Sequence, residues 1–200
     1  MPSGYWENSH VQEADTMPGP LDGIKVVDFT EVIAGPLAGR LLADLGADVI
    51  KIEPPWGDPW RSIQNFTATE SRNFMAYNSG KRCLPLDLTK GVAQEIVSRL
   101  ICQTDVVLVN YRPGVAEKLG VDYESLSLQN PKLVYCALTA FGRQGPDAHR
   151  PGYDMIIQAM TGMVASETKT VRGVPSWVWS SPLVDTAAGL CIAESVCAAL

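Results

Sequence analysis

Histidine is scarce in this chain: its 200 residues include only His10 and His149. A multi-histidine metal site has no basis in the sequence, and the site reading contains no metal. The cysteines, Cys83, Cys102, Cys136, Cys191 and Cys197, are odd in number and form no CxxC pair. Free thiols in a reducing compartment, the cytoplasm, are therefore expected, lying inert in apolar strands and helices. No apolar run approaches the ~18 residues needed to cross a bilayer, so no membrane partner is expected. Cations are outnumbered, with 16 Lys and Arg against 22 Asp and Glu and a net charge of −6. That balance argues against a nucleic-acid partner. It leaves room for an anionic ligand held by a few cations and helix N-termini. Two catalytic signatures are also missing. There is no Gly-x-Ser-x-Gly elbow, and Ala34-Gly35-Pro36-Leu37-Ala38-Gly39 is not the GxGxxG of a nicotinamide site.

What remains is an ordinary globular composition, 46% hydrophobic and 19% charged, enough to bury a core. Met1 to Pro20 is polar and aperiodic, without arginine, and is expected to be a flexible arm rather than a transit peptide. Ile24 to Phe29 reads as a buried strand. Pro36 then opens a helix through Leu37, Leu41, Leu42 and Leu45, which Gly46 stops. Ala47 to Ile52 reads as the next strand. Pro54 to Asn78 reads as an irregular surface loop or lid. Thr89 is expected to cap a helix reaching Ile101, followed by a strand at Val106 to Val109. Short helices at Val115 to Leu119 and Tyr123 to Leu128 precede a strand at Leu133 to Leu138. Helices from Tyr153 to Val164 and from Asp185 to Leu200 complete the pattern. The fold class is therefore α/β, a Rossmann-like parallel sheet flanked by helices. Its ligand segments are expected beyond the strand ends, at Glu31 to Pro36, Asn110 to Gly114 and Thr139 to Gly145. Because Ala198 to Leu200 sits in an uncapped apolar helical pattern, the chain is expected to be one part of a larger protein.

Several residues carry candidate chemistry beside simpler explanations. The turn at Gly35 could offer helix amides to an anion or carbonyl, or serve strand–helix packing alone. Lys81, Arg82, Arg112, Lys118 and Arg150 are loop cations suited to phosphates, though a loop cation can also be merely solvated. Asp154 could cap its helix, and Tyr153 could pack with a wet hydroxyl. Asp185 lies among small residues at a helix start, where the dipole would keep it ionised as a nucleophile, or where it could serve as a cap. Trp56, Trp60, Trp177 and Trp179 suggest a partly apolar cavity.

The order of motifs is more specific than any one of them. Leu21-Asp22-Gly23-Ile24-Lys25-Val26-Val27-Asp28-Phe29-Thr30 is followed by Ala34-Gly35-Pro36 and Leu45-Gly46-Ala47-Asp48-Val49-Ile50-Lys51-Ile52-Glu53. Asn78-Ser79-Gly80-Lys81-Arg82, Asn110-Tyr111-Arg112-Pro113-Gly114 and Gly152-Tyr153-Asp154 then follow in register. From Leu21 to Leu200 the chain resembles the N-terminal portion of class III CoA-transferases, a family that includes the α-methylacyl-CoA racemases. The resemblance implies a CoA-transferase domain over residues 21–200 and, at full length, an interlocked homodimer. It implies an acyl-CoA donor, a carboxylic acid acceptor and no permanently bound cofactor, the CoA thioester being the substrate. Asp185 matches the family's catalytic nucleophile. Val32, Ile33 and Ala34 would lie along CoA near the reacting carbonyl, and Lys81, Arg82, Arg112 and Lys118 would border its nucleotide end. Tyr153 and Asp154 complete the implied substrate-binding set. Tyr153 stands where the racemases carry a histidine base, Ile33 replaces the glutamine of formyl-CoA transferase, and Pro54 replaces an arginine that contacts CoA in some relatives. The implied activity is acyl-CoA:carboxylate CoA transfer. A racemase or isomerase, or a truncated CoA-binding module without catalysis, is the alternative.

Overall fold

The computed structural model describes residues 18–63, 65, 67, 71–166, 170–175 and 181–200. His10, Trp177 and Trp179 lie outside these. In chain order the elements are β1 Lys25–Asp28, α1 Ala34–Asp44, β2 Asp48–Glu53, α2 Arg72–Asn78, β3 Arg82–Pro85, α3 Gly91–Ile101 and β4 Val106–Val109. They continue with α4 Val115–Leu119, α5 Tyr123–Ser127, β5 Val134–Ala137, α6 Asp154–Met160, α7 Met163–Ser166, β6 Thr170–Val171, β7 Val174–Pro175 and α8 Leu183–Ala199. Strands β1 to β5 form one sheet in the order β3-β2-β1-β4-β5, and every pairing in it is parallel. The α/β expectation holds, and the order is that of a doubly wound sheet, whose ligand crevice opens between β1 and β4. Strands β6 and β7 form a separate antiparallel ribbon.

Alternation along the strands divides the core between the two faces of the sheet. Val26, Val49, Val106 and Leu108 meet Ala38 and Leu42 of α1 and Ile192, Ala193 and Val196 of α8. Val27, Ile52, Val107 and Val109 meet Val97 and Ile101 of α3 and Leu126 of α5. Each of these large side chains contributes about 1.5–3 kcal/mol when fully buried. A glycine sets the spacing between α8 and α1. A Cβ on Gly189 would lie 2.9 Å from both the Ala34 carbonyl oxygen and Leu37 Cδ2.

Some expected elements differ from those formed. The segment Pro54 to Asn78 is not an irregular loop throughout. It holds a 3-10 turn at Pro59–Ser62, capped by Asp58, and α2, capped by Ser71. Strand β3 sits on the sheet edge, where alternation is weak, and the periodicity did not reveal it. Thr89 does not cap α3; its N–H and hydroxyl donate to Asp87 Oδ1 at 3.0 and 2.6 Å, and Lys90 takes the cap position. The helix expected from Tyr153 to Val164 breaks into α6 and α7 at Gly162, whose φ is 81°. The cysteines are also more open than expected. Cys83 lies on edge strand β3, Cys191 and Cys197 on the outward face of α8, and Cys102 just past α3, all exposed; Cys136 is half-buried. Gly19, expected to be in the arm, lies against Gly46, and its carbonyl accepts from Asp22 N–H at 3.0 Å. Among the described residues, no helix is long and apolar enough to cross a membrane.

Two cations expected at the ligand have structural partners instead. The Lys81 side chain is fully buried, and its ammonium donates to Asp28 Oδ2 and the Pro36 carbonyl, each at 2.8 Å, and to Asn78 Oδ1 at 3.0 Å. All three of its protons are used, so none is left for a phosphate. Burial alone would raise the Asp28 carboxyl, but Lys81 and Lys51 hold it below its ordinary range. Arg82 binds Asp48 through both carboxylate oxygens at 2.6 and 2.7 Å, where β2 and β3 begin. That is the end of the sheet opposite the crevice. Lys81→Met should therefore cost about 3–5 kcal/mol by leaving Asp28 buried and unpaired. Arg82→Ala, which removes an exposed pair, should cost less than about 1 kcal/mol. Urea denaturation of the two variants beside the wild type measures the contrast.

Candidate active site

Beyond the carboxyl ends of the strands lies a cleft of about 630 Å³. Its floor crosses the point where the strand order reverses. There Asn110, following β4, accepts from Glu31 N–H through Oδ1 and donates through Nδ2 to the Glu31 carbonyl, both at 2.8 Å. This reciprocal pair ties the β1–α1 loop to the β4–α4 loop as a short piece of strand would. Glu31 to Ala34 form one wall, Asn110 to Pro113 a second, and Thr139 and Ala140 with Arg150 to Asp154 a third. Val184, Asp185 and Ala188 of α8 close the fourth side. All three segments expected to bind ligand contribute to the cleft.

Of the residues singled out in the sequence, the cleft gathers Val32, Ile33, Ala34, Arg112, Tyr153, Asp154 and Asp185. Lys81 and Arg82 are placed elsewhere, as described, and Lys118 is exposed on α4 outside the lining. Among the described residues, Arg112 and Arg150 supply the cations of the lining. Arg150 pairs with Asp147 at 3.0 Å and lies 5.3 Å from the centre of the Phe141 ring. Trp56 lines the cleft and is 80% exposed. Trp60 instead packs edge-on against Tyr77, with ring centres 6.3 Å apart.

Asp185 is the third residue of α8 and is half-buried. It does not cap that helix. Asp154 does so from α6: its Oδ1 accepts from Val184 N–H at 2.8 Å and from Asp185 N–H at 3.1 Å. Its Oδ2 accepts from Gln158 Nε2, which fixes the carboxylate plane. Neither aspartate caps its own helix, as the sequence had allowed; Asp154 caps its neighbour's, thirty-one residues away. The two carboxylates are held close together as a result. The dipole of α8 would lower the Asp185 carboxyl. Burial first, and then the charge of Asp154, push it up instead, to about 6. Burial and Asp154 therefore outweigh the dipole, although a carboxyl at about 6 is still mostly ionised at pH 7.

Two other acids in the lining are already engaged. Glu53 is held in a bidentate pair by Arg61 at 2.6 and 2.7 Å, and Asp87 takes the bonds from Thr89. Glu31 has a carboxyl raised by burial and then by Asp58. Helix α1 opens into the cleft at Ala34, so its first-turn amides have no acceptors within their own helix. Sequence reasoning missed the Glu31–Asn110 tie and the outward role of Asp154. A pairing across seventy-nine residues has no local signature.

Comparison with known proteins agrees with this architecture. The sequence profile of CoA-transferase family III matches residues 21–200. A probable fatty acyl-CoA transferase of Mycobacterium tuberculosis is 43% identical over 184 residues, covering 90% of this chain and 46% of that protein. An acetyl-CoA:oxalate CoA-transferase of Acetobacter aceti is 39% identical over 183 residues, covering 91% and 47%. A crystal structure of a CAIB/BAIF family protein from Brucella suis superposes with a TM-score of 0.82 at 39% identity, covering 92% of this chain and 49% of that one. The chain spans about half the length of the curated relatives it matches. With 180 consecutive residues matching that profile and the fold shared with it, the chain belongs to CoA-transferase family III.

Proposed function

We propose that the protein is an acyl-CoA:carboxylate CoA-transferase, a transferase of sulfur-containing groups, that works through a covalent intermediate on Asp185. The observation that carries this reading is Asp185 itself. It is a half-buried carboxylate on the wall of the switch-point cleft, held by its backbone N–H and raised in basicity to about 6. At pH 7 such a group is still about nine-tenths ionised, so it combines availability with nucleophilicity.

In the proposed cycle an Asp185 carboxylate oxygen attacks the donor thioester carbonyl. The C–S bond breaks, leaving an acyl-aspartyl mixed anhydride and a CoA thiolate. The thiolate attacks the aspartyl carbonyl carbon, expelling the donor acid as its carboxylate and leaving an aspartyl-CoA thioester. The acceptor carboxylate attacks the same carbon and releases the thiolate, forming the second anhydride. Attack of the thiolate on the acceptor's acyl carbon then gives the new acyl-CoA and regenerates Asp185. Each step exchanges one acyl bond for another of similar energy, which suits a carboxylate nucleophile.

The surrounding residues receive roles consistent with their positions. The opening amides of α1 at Ile33 and Ala34, with Val32, would lie along the thioester and polarise its carbonyl. Arg112 and Arg150 would meet the CoA phosphates. Tyr153, 55% exposed at the start of α6, supplies no imidazole base, which favours transfer over α-proton exchange. The cytoplasm is proposed as the location, supported by five free cysteines. A homodimer at full length is proposed as well, supported by the apolar side chains that α6 and α8 leave exposed: Met155, Ile156, Met160, Leu183 and Leu190.

Incubation of the full-length protein with acyl-CoA donors and hydroxylamine, followed by peptide mass spectrometry, tests the covalent route. A hydroxamate confined to Asp185 and absent from Asp185→Ala is expected; an unmodified Asp185 in protein that turns over would refute it. The pH profile provides a second test. Activity requires the carboxylate, so it should fall as pH drops through about 6. Asp154→Asn keeps an acceptor for the α8 amides and removes the neighbouring charge. Its acid limb should move below pH 6 without reaching the ordinary aspartate value, because burial persists.

A further inference from the structure

Val32 is a β-branched residue with φ of 73°, in the left-handed region that such side chains avoid. It stands in the cleft wall, between the tied Glu31 and the start of α1. Local sequence does not explain the conformation, because no glycine or asparagine occupies the position. The surroundings do. Lys51, on β2, and Asp58, before the 3-10 turn, are each completely buried and form an ion pair at 3.1 Å. Lys51 Nζ donates to the Thr30 carbonyl at 2.5 Å, two residues before Val32. Asp58 Oδ2 accepts from Val32 N–H at 3.3 Å. Asp58 is itself fixed, accepting from Trp60 N–H at 2.9 Å through Oδ1 and donating its own N–H to Glu53 Oε2 at 3.1 Å. On the opposite side Asn110 holds both backbone groups of Glu31.

We propose that the buried Lys51–Asp58 pair is a positioning device for the transfer reaction, clamping the β1–α1 loop with Val32 in its disfavoured conformation so that Ile33 and Ala34 face the acyl group on Asp185. Neither clamp residue need touch substrate. Backbone strain that its surroundings over-determine in this way is stored where it serves function. The geometry links the loop to the nucleophile. Ala34, two residues after Val32, packs against α8 at Gly189, and Gly189 lies one turn beyond Asp185 on the same face of that helix. If the loop relaxed toward ordinary φ, it would move the Ile33 and Ala34 amides relative to Asp185. The proposal rests on the reading of Asp185 as the nucleophile.

The test is a cycle of variants in the full-length protein, read by the rate of hydroxamate formation at Asp185 under saturating acyl-CoA and by its KM. Asp58→Asn should remain folded by circular dichroism and lose about tenfold or more in rate, with KM changed far less. Glycine adopts the left-handed conformation without penalty. Adding Val32→Gly to Asp58→Asn should therefore recover at least about fivefold of that loss. The fall from Val32→Gly to the double variant should also be smaller than the fall from wild type to Asp58→Asn. A side chain that merely stabilised the fold would give equal falls and no rescue, and that result would overturn the proposal. Should Asp58→Asn fail to fold, Lys51→Met/Asp58→Leu replaces the pair with apolar groups, an exchange buried ion pairs often tolerate. A folded double variant with wild-type rate, or the failure of both variants to fold, also counts against the positioning role. Absence of any hydroxamate in the wild type removes the reading of Asp185 and this proposal with it. Trapping in the wild type matched by Asp58→Asn removes this proposal alone.

Discussion

The close approach of α8 to α1 at Gly189 is the constraint on which the site depends. With no Cβ at that position, the two helices touch through the backbone of one and the Leu37 side chain of the other. Any larger residue would push them apart, since its Cβ would lie 2.9 Å from both the Ala34 carbonyl oxygen and Leu37 Cδ2, inside ordinary contact distance. Because Asp185 and Gly189 share a helix face, the same contact places the carboxylate beside the mouth of α1. The location of Asp185 is thus set by packing one turn away, before any hydrogen bond of its own is counted.

Charge is handled differently in front of the sheet and inside it. Asp28 with Lys81, and Lys51 with Asp58, are buried pairs whose remaining polar atoms have partners, and both hold loops at the crevice. In the cleft the acids outnumber the arginines, yet most are already committed: Glu53 to Arg61, Asp87 to Thr89, Asp154 to the α8 amides. Arg61 balances the charge of Glu53, whereas the hydrogen bonds to Asp87 and Asp154 occupy their oxygens without cancelling their charge.

The sheet was legible because β1, β2, β4 and β5 are short apolar runs bounded by turn residues, and such runs report burial directly. Strand β3 was not, because an edge strand starting Arg82-Cys83 has no buried face to impose alternation. The cleft segments were legible from topology alone, since loops after parallel strands converge wherever the order reverses. Individual roles were not. Lys81 and Arg112 look alike in sequence, both cations near strand ends, and only the three-dimensional position of Asp28 decides that one is structural. Asp154 was equally ambiguous, because capping a helix in another part of the chain leaves no spacing to detect. The resemblance of motifs supplied Asp185, which the physics of its neighbourhood in sequence could not separate from a cap.

The raised Asp185 carboxyl also bears on stability, and the direction follows from linkage. A carboxyl whose folded value, about 6, exceeds its ordinary 3.8 favours the folded state at acid pH, where both states are protonated or only the folded one is. That advantage is lost as pH rises through the folded value, so at neutral pH the ionised site is a liability. A rise of that size corresponds to about 3 kcal/mol for a fully buried group, and solvent screening of a half-exposed one reduces this to about 1–2 kcal/mol. The burden falls on the first turn of α8, whereas its buried residues Ile192, Ala193 and Val196 lie two to three turns further on. Their burial offsets the burden without requiring the first turn to be tightly packed. A helix anchored by its far half can therefore keep a basic, partly solvated carboxylate at its near end, which is the condition that the proposed nucleophilic role requires.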